Sequence, residues 1–326
     1  MNAKQEKRIL GMDQHDLSLF MKRYGIVFVM VAMFIILSFA SPNFLKIGNI
    51  TNVLSTVALN GVLALGMVFV ITAGGIDLSI GSLLALASTT IGVALQMTGS
   101  NVVACVAAVI VCGLLGFLNG VLVAGFNMFP FVVTLASQLV IRGLGYVISG
   151  GYSFALANPN FAQIGLGKIG DYLPYPILIL TAVFIISYIL MHWTRFGRYV
   201  YAVGGNINAA TASGVNIFWT RTMTFVISGV FAGIAGIIMT ARINAAQPNI
   251  GVGYETDAIA ACVIGGTSFA GGVSTIPGTL VGIVIIGLIY NGMNLLHVES
   301  YWQMIVKGLL ILGAVMMDMA LNKRRS

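Results

Sequence analysis

Long hydrophobic stretches without charge dominate the pattern of residues along this chain. The longest runs from Leu78 to Ile141 without one charged side chain. The hydrocarbon core of a bilayer is about 30 Å thick and a helix rises about 1.5 Å per residue, so one crossing needs roughly 20 apolar residues. This single stretch therefore has room for about three crossings, and it predicts an integral membrane protein.

The apolar blocks between turn signals predict about ten transmembrane helices. They lie at 24–40, 54–73, 78–97, 102–124, 129–150, 174–193, 222–241, 256–270, 276–296 and 301–320. The block 256–270 is short and interrupted by glycine, so a re-entrant piece is the alternative there. The predicted fold is an all-α polytopic membrane protein with one transmembrane domain, 24–320, between an N-terminal segment, 1–23, and a basic tail, 321–326.

Composition and charge agree with this prediction. Of the 326 residues 58% are hydrophobic and 8% are charged, whereas soluble domains carry about 25% charged residues. The predicted helices divide the basic residues unequally between the two sides of the membrane. One side holds Lys4, Lys7, Arg8, Lys22, Arg23, Arg195, Arg198, Arg221, Lys323, Arg324 and Arg325, and the other holds Lys46, Lys168 and Arg242. Arg142 and Lys307 lie within predicted spans. The positive-inside rule then predicts that both termini are cytoplasmic.

Several function classes lack support in the sequence. The basic residues are scattered at helix ends, where anionic lipid headgroups lie, which argues against nucleic acid. No HExxH or CxxC motif indicates a metal site. Gly167-Lys168 is followed by Ile169, and Ala162 occupies the first glycine position of a P-loop. We therefore expect no enzyme activity and no cofactor in this chain, and if ATP and Mg²⁺ drive the protein, another subunit binds them.

Polar groups within the predicted spans are the candidates for a solute path. The acidic residues fall almost entirely at predicted helix ends, at Asp77, Asp171, Glu255, Asp257, Glu299 and Asp318, which gives little support to a proton or sodium relay. The groups inside are Asn60, Asn119, Gln138, Arg142, Tyr290, Asn291 and Asn294. Amides and a phenol can hydrogen-bond a neutral polyhydroxylated solute, and hydrogen bonding between helices is the alternative. Arg142 either lines the path or snorkels to the outer interface, and Lys307 is expected to snorkel.

Two glycine-rich breaks interrupt the hydrophobic stretches. The residues singled out are Gly74, Gly75, Asp77, Ser79, Gly265 and Gly266. Glycine pairs end a helix, and Asp77 or Ser79 can cap the next one. The breaks are either tight, well-capped turns or a hinge or inner gate, since broken helices are tolerated where they line a cavity. Glycines four residues apart, at Gly116 and Gly120, Gly229 and Gly233, and Gly278 and Gly282, predict helix-packing faces, one of which could form a dimer contact.

The predicted cytoplasmic loop 194–221 contains a compact knob. Asn206 can cap a short helix rich in alanine and Gly214 is placed to end it. A short helix of this kind suits insertion into a groove on a partner. The residues that carry this prediction are Arg195, Gly197, Arg198, Gly204, Gly205, Asn206, Ala209, Ala210 and Gly214.

The chain resembles the permeases of ribose- and galactoside-type sugar ABC importers over nearly its whole length. The resemblance rests on R-F-G-R…A-V-G-G-N…A-A…S-G-V in the knob loop, G-G-I-D-L-S-I-G-S at 74–82, the turn at 127–135, A-Q-P and G-Y-E-T-D-A-I-A-A within 246–261, G-G-T-S at 265–268, and Y-W-Q and K-G within 301–308. At the knob the chain departs from the family, because Ile207, Asn208, Thr211 and Ala212 stand where Glu and Arg are common.

The resemblance implies partners and a mechanism. We expect a second permease copy, an ATP-binding subunit with two fused nucleotide domains, an extracytoplasmic sugar-binding protein, and alternating access in the bacterial cytoplasmic (inner) membrane for a pentose, hexose or related solute. The binding protein is expected to dock on outer loops that include Lys168, Arg242, Glu255 and Asp257. A secondary transporter or facilitator is the main alternative, and a channel-like or scaffolding subunit is a third.

Overall fold

The computed structural model describes residues 14–170 and 172–322, and these residues form a helical bundle. The helices are α1 (Gln14–Ala40), α2 (Ile47–Thr72), α3 (Ile80–Thr98), α4 (Asn101–Gly125), α5 (Pro130–Ser149), α6 (Gln163–Leu166), α7 (Tyr175–Trp193), α8 (Arg195–Gly205), α9 (Ile207–Ala212), α10 (Ile217–Ile243), α11 (Tyr254–Ile264), α12 (Ile276–Leu295) and α13 (Ser300–Asn322). Most of the predicted N-terminal segment, Asp171 and most of the predicted basic tail lie outside the described residues.

Two pairs of very short antiparallel strands lie at one end of the bundle. Strands β1 (Phe154–Ala155) and β4 (Ala245–Ala246) pair with each other, as do β2 (Lys168–Ile169) and β3 (Leu173–Pro174). We call this end the loop face. The opposite end carries α8 and α9, and we call it the knob face.

Among the described residues, seven helices are long and apolar enough to cross a membrane. They are α2, α3, α4, α5, α7, α10 and α12, and α1 contributes a shorter apolar stretch, Gly25–Ala40. This confirms a polytopic membrane protein. Helix α2 lies in the centre, where most of its side chains are buried, whereas α4, α5 and α7 expose many apolar side chains to the surroundings.

The crossing between α10 and α12 is broken into two halves. Residues 244–253, here called the extended segment, lead from the loop face into the bundle, and α11 continues from there. Helix α11 has 11 residues and is therefore about 16 Å long, roughly half of the hydrocarbon core. The predicted span 256–270 is accordingly not a full helical crossing. Residues 265–275 then reach the knob face, where the Ser274 hydroxyl donates to the Tyr201 hydroxyl at 3.1 Å.

Glycines four residues apart pack helices closely within the chain, as the sequence predicted. A Cβ added at Gly116 would overlap the carbonyl oxygen of Phe225, and one at Gly229 would overlap that of Cys112. These contacts join α4 to α10. A Cβ at Gly282 would overlap the carbonyl of Ala261, which joins α12 to α11. These faces are therefore occupied inside one copy of the chain and are not open for a dimer contact.

Candidate functional site

The knob has the local structure that the sequence predicted. The side chain of Thr194 accepts a hydrogen bond from the Gly197 amide at 3.2 Å and caps α8. Asn206 Oδ1 accepts from the amides of Asn208 and Ala209, each at 3.0 Å, and caps α9. Gly214 adopts φ +77° just after α9, a backbone conformation that residues with a side chain rarely adopt. Capping by Asn206 and termination at Gly214 are thus confirmed.

The knob exposes one side of α9 and buries the other. Ala209 and Ala212 are exposed, whereas Ala210 is buried against the chain's own helices. In α8, Arg195 and Arg198 are exposed at the same end. The surface that a partner can reach is therefore small, weakly polar and flanked by basic side chains.

Glycines from three segments that are distant in sequence meet where α8 rests on the bundle. A Cβ at Gly204 would overlap the Thr72 carbonyl at the end of α2, and one at Gly271 would lie 3.1 Å from Gly74. The amide of Gly272 donates to that Thr72 carbonyl at 2.9 Å. We call this contact, formed by Gly74, Gly204, Gly205, Gly271 and Gly272, the glycine junction. Backbones therefore touch there without intervening side chains, which joins α8 to the end of α2 and to residues 265–275.

Beside the junction, aromatic packing adds a second contact between α8 and α2. The rings of Phe69 and Phe196 stack with centroids 6.4 Å apart. Gly75 lies against Val70 and Phe225. Gly265 and Gly266 lie away from the junction, where Gly265 contacts Gly278 at the start of α12 and Gly266 adopts φ +91°.

The first glycine-rich break, between α2 and α3, is stabilised by a buried carboxylate. Asp77 Oδ1 accepts hydrogen bonds from the Ser79 amide at 3.0 Å and the Ser79 hydroxyl at 2.6 Å, and Oδ2 accepts from the Ser228 hydroxyl at 2.8 Å. Asn119 donates to the Ser79 hydroxyl at 3.0 Å. Asp77 lies between the end of α2 and the start of α3, at a helix end as predicted, and its side chain is fully buried. Helices α4 and α10 thereby hold the break in one conformation.

A second buried acidic group lies at the start of α11. Asp257 Oδ1 accepts from the Tyr290 hydroxyl at 2.8 Å and lies 2.8 Å from Lys307 Nζ. Lys307 also donates to the Gly253 carbonyl. Glu255 Oε1 accepts from the Gly253 amide at 3.2 Å and from Gln138 at 3.4 Å, while its Oε2 is buried without a hydrogen-bond partner. Lys307 therefore pairs with a buried acid, contrary to the expected snorkelling.

The expected exposure of Glu255 and Asp257 on an outer loop is wrong, because both side chains are about 7% exposed. Hydropathy correctly marks them as the end of a helix. The crossing is broken inside the bundle, however, so this helix end lies within the protein. Acidic residues in the first turn of a helix are favoured by the positive end of its dipole, which explains why these positions suit carboxylates.

The extended segment is held by side chains from α5 and α3. Arg142 donates to the carbonyls of Pro248, at 3.1 Å, and of Ile250. The amide of Gln247 donates to the Ser88 hydroxyl of α3 at 3.1 Å. Arg142 thus satisfies backbone carbonyls that no sheet or helix satisfies.

The other predicted path residues are dispersed. Asn291 and Asn49 exchange hydrogen bonds at 2.7 and 3.1 Å, and Asn294 is exposed and accepts from Gln303. Asn60 is buried in α2 with its side-chain oxygen unpartnered. Of the predicted set, Gln138 and Arg142 lie beside the extended segment, and Tyr290 contacts Asp257 near its end. The path role stays a prediction.

The remaining two residues predicted to contact the binding protein lie at the loop face, and they differ in their exposure and contacts. Lys168 is exposed on the β2–β3 hairpin. Arg242 donates to Thr56 at 3.1 Å and to Asn52, so it fastens α10 to α2. Among the described residues, no cluster of three or more histidine, cysteine or acidic side chains could hold a metal ion.

Comparison with known proteins places this architecture in a family. Residues 49–315 match the family described as "Branched-chain amino acid transport system / permease component". The ribose import permease protein RbsC of Bacillus subtilis is 42% identical over 91% of this chain and 93% of its own length, and RbsC of Escherichia coli K12 is 41% identical over 91% and 92%. The D-allose transport system permease protein AlsC of Escherichia coli K12 is 39% identical over 94% and 95%. No solved structure matches the chain. Since the match covers most of the chain and of these relatives, the protein belongs to this family of permease components, the non-catalytic membrane subunits of bacterial transport systems.

Proposed function

We propose that this chain is the permease of an ATP-driven importer for a pentose, a hexose or a related neutral solute. Its relatives are named for ribose, D-allose and, in Escherichia coli AraH at 35% identity, L-arabinose, which are neutral monosaccharides. Two permease copies, an ATP-binding subunit with two fused nucleotide domains and an extracytoplasmic binding protein complete the importer. ATP and Mg²⁺ bind to the ATPase subunit and not to this chain.

The proposed topology has ten crossings with both termini in the cytoplasm. The seven long apolar helices, α1, α13 and the broken crossing of residues 244–275 make up this number. The knob face is the cytoplasmic side, supported by the exposed Arg195 and Arg198 at this end. An even number of crossings returns the chain to the side on which it began.

The observation that carries the proposal is the glycine junction. Alternating access requires that movement of the ATPase reaches the helices around the solute. The exposed side of α9 is free to enter a groove on the ATPase, and α8 touches the end of α2 and residues 265–275 through bare backbone. A rigid-body displacement of the knob therefore moves the central helix directly.

A secondary transporter is the competing function, and the buried acids Asp77, Glu255 and Asp257 are the observation that favours it. Asp77 accepts three hydrogen bonds and Asp257 is paired with Lys307, so two of the three are structurally engaged. Family membership favours the importer.

Reconstitution separates the two functions. The chain is placed in proteoliposomes with its ATPase subunit and binding protein, and uptake of radiolabelled ribose, allose and arabinose is measured with and without ATP. We expect uptake of at least one sugar that requires both ATP and binding protein. Sugar uptake by the chain alone, driven by a proton or sodium gradient, would establish the secondary transporter instead.

Replacing Ala209 with glutamate is expected to uncouple ATP hydrolysis from uptake. The new side chain would place bulk and charge on the exposed side of α9, between the knob and the ATPase groove. ATPase activity and uptake are measured on the same purified complex. Ala209→Ser, which is close in size, serves as the control and should keep uptake. Full uptake by Ala209→Glu in an assembled complex would show that α9 does not insert there. Ala210 is unsuitable for this test because it is buried.

A further inference from the structure

The broken crossing contains a point at which movement from the knob would be lost. Helix α11 ends at Ile264, whereas Gly271 and Gly272 belong to the glycine junction. In residues 265–272, here called the glycine turn, three glycines adopt positive φ, among them Gly266 at +91°. Glycine moves between backbone conformations more easily than other residues. A displacement that reaches the junction would therefore bend an unsupported glycine turn and leave α11 in place.

A carboxylate of α13 holds the middle of the glycine turn. Asp318 Oδ2 accepts hydrogen bonds from the amide of Phe269 at 3.0 Å and from the hydroxyl of Ser268 at 3.2 Å. A hydrogen bond to a carboxylate is roughly twice as strong as one between neutral groups. Because α13 is one continuous helix, these bonds attach the turn to a rigid element.

The same helix also holds the other end of α11. Lys307 pairs with Asp257 at 2.8 Å and donates to the carbonyl of Gly253, just before α11. The two attachment points on α13 are separated by as many residues as the side chains of Asp257 and Ser268 that they hold. At about 1.5 Å per residue this separation is about 16 Å along α13, close to the length of α11. Helix α13 therefore lies along α11 and is attached at both ends of it.

Contacts from α12 support a different part of the glycine turn. The Thr275 hydroxyl donates to the Gly265 carbonyl at 3.2 Å, and Gly265 lies against Gly278 at the start of α12. These contacts fix residues before and after the positive-φ glycines, so they leave the middle of the turn able to bend. Asp318 holds that middle part, and its contribution is therefore distinct from packing against α12.

We propose that Asp318 and Lys307 make α11, the glycine turn and α13 move as one unit, so that a displacement of the knob reaches the extended segment inside the bundle. Asp318 is a positioning residue in this unit, because it keeps the turn from bending at the junction. Lys307 passes the movement of α13 to the start of α11. Without the attachment at Asp318, the turn would absorb the displacement while ATP hydrolysis continued. This inference rests on the proposed function, which supplies the movement of the knob.

Reversible cross-linking tests the unit. Ser268→Cys and Asp318→Cys are introduced together, which removes the hydrogen bonds between these side chains. A short bifunctional methanethiosulfonate then joins the two thiols through bonds that dithiothreitol cleaves. Sugar uptake and ATP hydrolysis are measured on complexes reconstituted with the ATPase subunit and the binding protein. We expect a severalfold loss of uptake per ATP hydrolysed in the reduced double variant, and recovery of this ratio after cross-linking.

The ratio of uptake to ATP hydrolysis is the decisive readout, since a loss of stability alone would lower both activities together. The two single cysteine variants, treated with the same reagent, show the effect of modification without a link, and the wild type reports on its own three cysteines. Asp318→Asn keeps an acceptor oxygen of the same size, so it should retain more of the coupling than Asp318→Ala.

Two results would overturn the unit. A cross-linked complex that hydrolyses ATP without importing sugar, and imports again after reduction, shows that the glycine turn and α13 separate during transport. A reduced double variant with the wild-type ratio shows that the attachment is dispensable. If the double variant does not assemble, Asp318→Ala is measured in its place, and a wild-type ratio there has the same meaning. ATP-dependent uptake by the wild type, measured in parallel, tests the importer function separately.

Discussion

Replacing Lys307 with methionine is expected to destabilise the protein by about 3–5 kcal/mol, the range observed when one partner of a buried ion pair is removed. The substitution leaves the Asp257 carboxylate buried, with the Tyr290 hydroxyl still donating to it but without its cation. It also removes the donor to the Gly253 carbonyl. Since Asp257 lies at the start of α11, the loss loosens the attachment of α13 to the broken crossing.

Thermal unfolding in detergent measures this effect, with a thiol-reactive dye that reports exposure of the buried Cys112 and Cys262. Lys168→Met makes the same chemical change at an exposed site and should leave the melting temperature unchanged. In the double variant Lys307→Met with Asp257→Asn, the neutral amide removes the unpaired charge, so stability should recover in part. Equal melting temperatures for Lys307→Met and Lys168→Met would contradict the assigned ion pair.

Features that depend on local sequence could be predicted well. Uninterrupted apolar runs marked the long helices, and the cap at Asn206 and the stop at Gly214 follow from the intrinsic preferences of those residues. The glycines four residues apart were correctly read as packing faces, because close backbone approach is their main use in lipid.

Features that depend on distant contacts could not be predicted. Hydropathy placed Asp77, Glu255 and Asp257 at helix ends, which is correct, but it assumed that helix ends lie at the membrane surface. The crossing between α10 and α12 is broken inside the bundle, which buries Glu255 and Asp257. Asp77 lies at the turn between α2 and α3, where contacts from α4 and α10 enclose it. The partners that make this burial possible, Ser228 and Lys307, are far away in sequence.

The glycine junction also depends on distant contacts that the sequence does not indicate. The pairs Gly74-Gly75, Gly204-Gly205 and Gly271-Gly272 are each visible in the sequence, but nothing in their spacing indicates that the three segments meet. Their convergence depends on the position of α8 beneath the end of α2. A proline and two glycines between 248 and 253 were the available signal for the extended segment, and they were compatible with an ordinary surface loop.

Replacing Gly204 with alanine is expected to abolish uptake, whereas the same change at Gly205 should be tolerated. A Cβ at Gly204 would overlap the Thr72 carbonyl and lie 2.6 Å from the Gly272 amide nitrogen. Both neighbours are backbone atoms, so neither can rotate away, and α8 must separate from α2. At Gly205 a Cβ meets no atom within 4 Å. Overpacking of this kind costs about 1–3 kcal/mol, which a folded bundle can survive while the junction itself opens.

Each variant adds one methyl group, and the two positions are adjacent in one helix. Their comparison therefore separates the effect on the junction from general effects on α8. Uptake and ATPase activity are measured on reconstituted complexes whose assembly has been verified by size-exclusion chromatography. An assembled Gly204→Ala complex that hydrolyses ATP without importing solute shows that the junction transmits the movement of the knob. If Gly204→Ala instead imports as well as Gly205→Ala, the movement reaches α2 by another route, for which the stacked rings of Phe69 and Phe196 are a candidate.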